Sequence, residues 1–528
     1  MTAHRDVVVI GAGVNGLVAA AFLAKRGLKP LVLERSDHVG GCAITSDLAP
    51  GYHAPTLAHT VPLDPAVSRS LALERHGLDL LHPPVHACSP TLDGRALVLW
   101  TDADRAAASI ATFSARDAAE YPRFLAAFAR IAGVLRAVAS APPPSIDRPG
   151  GRDLLELVKA GRAFRSLGKT DAYRLLRWTP MAVADLVGES FESEPLRAAI
   201  AAGGVLGSFL GPRSAGSGAV LLLLAAANGH PIGGVFARGG PGAVAAALTG
   251  AARSAGAEIR TTAAVREILV SDGAATGVAL DTGETIAARA VVSSTDPALT
   301  LLGLVDPIHL PPDFLRRVRH IRMRGALAKV NFALSALPRI GGLSGLDGDQ
   351  QLAALSGRIR LARDCDTIER AFDAAKYGSF ADEPWIELTI PSLLDPALAP
   401  DGRHVMSAYV QYAPYTLRSG TWAEERDRLA ATVIRTIAQY APGFESSIVA
   451  REVITPLDLE QQYRLTGGHI FQGEMALDQW FVARPLLGWS RYGTPIRRLF
   501  LCGSGTHPGA GLAGRPGALA AREIRRAL

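Results

Sequence analysis

The sequence is poor in cysteine. Four occur in 528 residues (Cys42, Cys88, Cys365 and Cys502), and no two of them stand in a C-x-x-C or C-x-x-x-x-C spacing. Neither zinc binding nor a redox-active disulfide is thereby suggested, and no metal site is expected. Long apolar runs are missing as well. The stretch Ala219–Ala227 falls far short of the ~20 residues that span a bilayer. No basic n-region with an apolar h-region stands ahead of the first strand, near residue 6. The expectation is a cytoplasmic protein, soluble or peripherally attached to a membrane. Neither sign of charge dominates: 55 Lys and Arg face 49 Asp and Glu, a net charge of +6. The basic residues are scattered, with modest clusters at Arg316–Arg324 and Arg522–Arg526, and no nucleic-acid motif accompanies them. Solvated surface is the expected role of these clusters; contact with an anionic membrane surface or an acidic partner is the sharper one. At 48% hydrophobic and 20% charged residues the chain is globular rather than disordered. Its length predicts two or three lobes.

What is present is concentrated between Asp6 and Gly41. Val7–Ile10 is an apolar run of buried-strand type, followed by Gly11, Gly13 and Gly16 in a G-x-G-x-x-G spacing. Leu17–Arg26 reads as a helix stopped by Gly27, and Leu31–Leu33 as a second strand ending at Glu34. This is a βαβ unit in the order that gives the glycine motif its meaning. Gly11 permits the tight turn, Gly13 lets backbone approach a pyrophosphate, and Gly16 lets helix and strand pack closely. The helix N-terminus offers free N–H groups and a positive dipole end to the same anion. Glu34 lies 23 residues after Gly11, where an acid accepts hydrogen bonds from an adenosine ribose. A Gly40-Gly41 pair a few residues further lets a loop pass close to ribose and diphosphate. FAD-binding chains of the glutathione-reductase type commonly carry this extension, whereas nicotinamide-only domains rarely do. The expected cofactor is therefore FAD.

Residues from about 62 to 235 are mostly helical in pattern. Ser114 and Asp117 resemble a capping box ahead of a helix to about Val138, and Ala141-Pro-Pro-Pro144 marks a break. Gly239-Gly240-Pro241-Gly242 opens a helix and returns the chain to the nucleotide domain. Strands follow at Ala257–Arg260 and Ala264–Val270, then a hairpin of 277–283 with 284–290, then a strand from Ala290. A second excursion, from about 320 to 455, holds predicted strands at Ala326–Leu334 and Val405–Gln411 and an amphipathic helix at Trp422–Tyr440, with a loop-like stretch at Gly341–Gly357. Near the end, a strand to Cys502 runs into the glycine-rich turn Gly503–Gly514 and a helix from Ala518. That turn suits backbone lying along a flat ring, and the helix N-terminus would stabilise negative charge on a reduced flavin. The predicted architecture is α/β: a Rossmann-like FAD-binding domain of glutathione-reductase type (1–61, 236–320 and 456–528) with an inserted α+β substrate domain (62–235 and 321–455).

These segments together resemble the phytoene desaturase (carotenoid desaturase) family of FAD-dependent oxidoreductases. The resemblance rests on the fingerprint with Gly40-Gly41, the Gly239–Ala243 helix start, the Val291–Pro297 strand and the Cys502–Gly511 block. The stretch Thr466–Trp480 with Ala483-Arg484-Pro485 resembles the branch that contains pyridine nucleotide-disulfide oxidoreductase domain-containing protein 2. The resemblance implies FAD contacts at Gly11, Gly13, Val14, Asn15, Gly16, Glu34, Arg35, Gly40, Gly41, Cys42, Val265, Gly503, Gly511 and Leu512. Carotenoid desaturases usually carry Arg or Lys directly after the Gly-Gly pair; this chain has Cys42, which favours the second branch. The paired redox cysteines in that branch's name have no counterpart here.

The expected function is oxidation of an apolar small molecule, polyunsaturated ones included, by hydride transfer to flavin N5, giving a desaturation or, without net oxidation, an isomerisation. Oxygen or a quinone is the expected electron acceptor. His507, His469 and Asp478 are the candidate catalytic residues, with His59 and Arg484 behind them, because they lie in or beside the glycine-rich and branch-specific segments. Two rival functions are oxidation of an amine or amino acid and a non-catalytic, flavin-binding assembly role.

Overall fold

The computed structural model describes residues 5–145, 150–509 and 514–528. Its first sheet is built outward from Arg5–Ile10, whose last four residues are buried. That strand lies between Pro30–Leu33 and Thr285–Ser293, parallel to both, with Val8 opposite Leu31 and Val291. Glu258–Arg260 adds to one side and Leu499–Leu501 to the other, again in parallel. A parallel sheet needs cover on both faces. Alternation along the central strand supplies two apolar faces: Val7 and Val9 pack with the helices Val14–Ala24, Pro241–Ser254 and Arg515–Ala527. Val8 and Ile10 pack with the hairpin of Val265–Ser271 and Ala274–Leu280 and with Phe314.

Thr285–Ser293 is one nine-residue strand, where the sequence pattern predicts a hairpin arm and a separate strand. Its first half pairs antiparallel with Ala274–Leu280, and its second half runs parallel to the central strand and to Leu499–Leu501.

The second sheet has seven strands in the order Ile448–Ile454, Leu327–Leu334, His404–Gln411, Ile386–Thr389, Arg358–Leu361, Val85–Pro90, Ala96–Trp100. All neighbours are antiparallel except Arg358–Leu361 with Val85–Pro90. One face is apolar: Val330, Phe332, Ile386, Leu388, Ala408 and Val410 pack with Leu429, Val433 and Ile437 of the helix Trp422–Tyr440. Because side chains alternate along a strand, the opposite face carries Lys329, Asn331, Arg358, Arg360, Glu387, Thr389, Ser407, Tyr409 and Gln411. Pairing aligns Arg360 with Glu387, Glu387 with Tyr409, and Tyr409 with Lys329 in one row across four strands. All of that face is buried apart from a half-buried Tyr409.

Val85–Pro90 and Ala96–Trp100 fall in the stretch whose pattern is mostly helical. They are short strands at one end of the sheet: Val85–Pro90 pairs with Arg358–Leu361, and Ala96–Trp100 pairs with Val85–Pro90 as the edge strand. The helix Ala115–Ala139 is capped by Ser114, whose Oγ accepts from the Asp117 amide at 3.1 Å. The predicted reciprocal bond is not made: the Asp117 carboxylate instead accepts from the amides of Glu192 and Ser193 and from Ser193 Oγ. It thereby ties the helix start to a distant turn. The loop-like stretch 341–357 contains the helix Gly348–Leu355, capped by Asp347. Among the described residues no helix is long and apolar enough to cross a membrane.

Candidate active site

The glycine turn after the first strand is held from both sides. Gly11 donates its amide to Leu33 O at 2.8 Å and adopts a positive φ of 90°. Gly16 sits so close to that turn that a Cβ on it would lie 2.1 Å from Gly11 O. The Gly40-Gly41 pair folds back onto the same turn: Gly40 donates to Ala12 O at 2.9 Å, and a Cβ on Gly41 would meet Gly13 Cα at 3.1 Å. Glu34 is buried at the end of its strand, where its two oxygens accept from the amides of Ala12 (2.8 Å) and Ser36 (3.0 Å). Each carboxylate oxygen retains a lone pair for a further donor. The helix Val14–Ala24 has Gly13 at its N-cap and no side-chain cap, which leaves first-turn amides for an anion.

The far end of the chain completes this wall. Asn15 Nδ2 donates to Ser504 Oγ at 3.1 Å, while Asn15 Oδ1 is buried without a protein partner. Gln472 accepts from the Gly505 amide at 3.1 Å. Arg484, 2% exposed, donates to the carbonyls of Phe471, Gly473, Glu474, Gln479 and Ser504. Burial holds it down at about 10, partly offset by the nearby Glu474 carboxylate. Its planar fork is what five carbonyls require; lysine offers three donors from one atom. Arg484→Lys is expected to lower the stability of the holoprotein by about 3 kcal/mol in urea unfolding. An unchanged midpoint would mean that the 471–504 segments hold together without this hub.

A cavity of about 1090 Å³ opens at the glycine turn, at the upper limit of ligand pockets generally. One end is lined by Gly11, Gly13, Val14, Asn15, Glu34, Arg35, Gly40, Gly41, Cys42 and Val265, all of them residues singled out from the sequence. Gly16 and Gly503 stand behind this lining, as packing positions. Gly511 and Leu512 lie outside the described residues. The lining matches what a flavin dinucleotide requires: bare backbone where the diphosphate passes, a carboxylate at the ribose end, and an unanswered amide oxygen on Asn15. Cys42 lines the cavity with a thiol that burial pushes up to about 11, and all four cysteines are free.

The other end reaches the polar face of the second sheet. Arg358, Arg360 and Tyr409 line it together with Leu206, Leu224, Ala227, Ile232, Ile470 and Phe471. Glu387 is shared between Arg358 Nη1 (2.6 Å) and Arg360 Nε (3.0 Å). Burial alone would raise its carboxyl; the two guanidiniums outweigh that and hold it far below the usual range. Lys329 donates to Pro55 O at 2.7 Å and Leu57 O at 3.0 Å, and burial pushes its amine well below the usual value. His59 stacks on Tyr409 with ring centroids 3.6 Å apart, and its amide donates to the Tyr409 hydroxyl at 3.0 Å.

The three candidate catalytic residues do not line this cavity. His507 is buried against Phe481 and accepts at its carbonyl from the Tyr492 hydroxyl. His469 is a turn residue, accepting at Nδ1 from the Phe471 amide, with Nε2 3.7 Å from Glu474. Asp478 is exposed and forms a two-pronged ion pair with Arg322 at 2.6 Å. These segments stand out in sequence because they brace the glycine-rich turn. Arg358, Arg360 and Tyr409, which line the cavity's other end, were not singled out from the sequence. Charged residues inside a strand that is buried throughout were the available signal.

Burial keeps four histidines neutral, with His86 pushed down to about 4 and His59, His230 and His507 to about 3. Below pH 6.5 the unfolded chain takes up protons that the folded chain refuses, so stability falls as the pH drops towards 4. Each histidine contributes about 1.4 kcal/mol per pH unit. His59→Gln is expected to flatten that slope by one proton in urea unfolding between pH 6.5 and 4.5. An unchanged slope would show that His59 titrates normally.

A parallel sheet, a glycine turn closed by its own Gly-Gly extension and a long cavity reaching a second sheet define a dinucleotide-binding flavoprotein. The profile of the family described as "Flavin containing amine oxidoreductase" matches residues 15–524, and the chain belongs to that family. It is an FAD-dependent oxidoreductase. It is 37% identical to mouse (Mus musculus) pyridine nucleotide-disulfide oxidoreductase domain-containing protein 2, over 99% of this chain and 94% of the relative. It is 28% identical to phytoene desaturase (lycopene-forming) of Pseudescherichia vulneris, over 97% and 96%. In fold it resembles a solved putrescine oxidase triple mutant, with a TM-score of 0.62 at 16% identity, covering 99% of this chain and 98% of the other.

Proposed function

We propose that the protein dehydrogenates an apolar small molecule, polyunsaturated ones included, at a carbon held against the flavin. The cavity carries this reading: its nucleotide end runs without interruption into an end walled by Leu206, Leu224, Ala227, Ile232, Ile470 and Phe471. FAD, when bound, supplies a hydride acceptor. The chain's own task is to orient the substrate and exclude water. Lys329 fixes the segment 55–57 through two carbonyls, and Thr56, Leu57 and Ala58 of that stretch line the cavity. The stacked pair of His59 and Tyr409 backs the same segment. The aliphatic walls hold the body of the substrate by burial, at about 25 cal/mol per Å². Oxygen or a quinone takes the electrons onward.

Oxidation of an amine is the second reading, favoured by the family's description and by the fold likeness to putrescine oxidase. Against it, the substrate end presents two guanidiniums to one carboxylate, a field that repels an ammonium group. Anaerobic bleaching of the flavin separates the two. Unsaturated hydrocarbons or lipids are expected to bleach it; bleaching by amines alone would replace the first reading with the second.

A further inference from the structure

We propose that the substrate is an apolar molecule bearing a carboxylate, and that Arg358 binds that carboxylate at the substrate end of the cavity. This rests on the reading of an apolar substrate given above. Arg358 and Arg360 lie two residues apart on one strand and so project from one face. They share a single carboxylate, Glu387, at 2.6 and 3.0 Å. Two guanidiniums against one carboxylate leave one positive charge, on residues only 6% and 2% exposed.

Among the described residues no second carboxylate pairs with either guanidinium. Glu452, also on the cavity, accepts from Asn331 Nδ2 at 2.9 Å and faces Lys329. His59 is neutral, as are His86 and His230, which stack on each other at 3.7 Å. The two arginines differ in what they have left to give. Arg360 Nη1 donates to Ala199 O. Arg358 Nη2 donates to Thr60 Oγ1 at 3.0 Å, and Arg358 Nε is buried with no protein partner. An uncompensated buried charge and an unanswered buried donor are both costly. A ligand carboxylate beside Arg358 offsets the charge, while Leu206, Leu224, Ala227 and Ile232 accommodate an aliphatic body.

An anionic oxygen could also come from the diphosphate of FAD. That group belongs at the glycine turn and the start of the helix Val14–Ala24 on the first sheet, whereas Arg358 projects from the second.

The test compares decanoate with 1-decanol, equal in chain length and different in charge, on the FAD-loaded protein, by calorimetry and by the shift of the flavin absorbance. Decanoate is expected to bind at least about tenfold more tightly. Arg358→Met is expected to erase that preference by weakening decanoate alone, with FAD per chain unchanged, and Arg358→Lys to restore part of it. Equal affinities in the unaltered protein overturn the proposal, and that comparison stands even if Arg358→Met does not fold. Loss of FAD from Arg358→Met also overturns it, by assigning the guanidinium to the cofactor's diphosphate. Binding of neither probe removes the apolar-substrate reading as well, whereas binding of both alike removes only the carboxylate.

Discussion

Gly16→Ala is expected to give a colourless protein. The added Cβ would stand 2.1 Å from Gly11 O and 2.9 Å from Ser294 Oγ. Neither can retreat freely: Gly11 donates to Leu33 O, and Ser294 Oγ donates to the carbonyls around Ile10 and Gly11. The helix must therefore move off the strand, carrying its first-turn amides away from the diphosphate. Overpacking of this kind costs about 1–3 kcal/mol of stability. The larger effect is on the cofactor, whose affinity is expected to fall on the order of 100-fold, equivalent to about 2.8 kcal/mol. Flavin absorbance per chain after purification reads this directly. Gly27→Ala is the matched control, because no atom stands within 4 Å of a Cβ there and only its positive φ of 86° is strained. If Gly16→Ala retains a full complement of FAD, the close approach is not what holds the site.

Glu387→Ala is expected to cost about 3–5 kcal/mol, the penalty for leaving buried charges without their partner. Both arginines lose their shared carboxylate, at 2.6 and 3.0 Å, and stand side by side on one face of the same strand. The pH dependence identifies the cause. The folded-state carboxyl lies far below its ordinary value of 4.5, so near pH 4 the folded chain keeps it ionised while the unfolded chain binds a proton. The stabilisation is complete above about pH 4.5 and declines as the pH falls below that value. The stability gap between the unaltered protein and Glu387→Gln should therefore narrow from pH 5 downward in urea unfolding. A gap that stays constant through that range would show that packing, rather than charge, accounts for the loss.

The cofactor half was legible because its constraints are local. Gly11, Gly13, Gly16 and Glu34 act within one βαβ unit, and each spacing has a single geometric purpose. Glu34 shows the limit of this: its position was legible, but not the two backbone amides of Ala12 and Ser36 that it also fixes. The substrate half was less legible because its sheet reverses the usual pattern. Alternating apolar and polar residues normally mark a buried face and a wet one. Here the alternation in Arg358–Leu361, Ile386–Thr389 and His404–Gln411 separates two buried faces, one against helices and one around the cavity. Only the pairing of Arg360, Glu387, Tyr409 and Lys329 across four strands reveals the second. His469 and His507 drew attention through motif density, which at that place reflects the carbonyl hub of Arg484.

The hydrogen bond from Asn15 to Ser504 joins residues 489 positions apart. The first sheet also waits for Leu499–Leu501, and a Cβ on Gly517 would stand 2.1 Å from Asn15 O. At about 5–20 residues per second, synthesis takes roughly 25–100 s to travel from one end of that bond to the other. Throughout that interval the strand Arg5–Ile10 has an incomplete sheet and a half-built cofactor wall. The cofactor wall is therefore complete only once the chain has been made through Ser504 and Gly517.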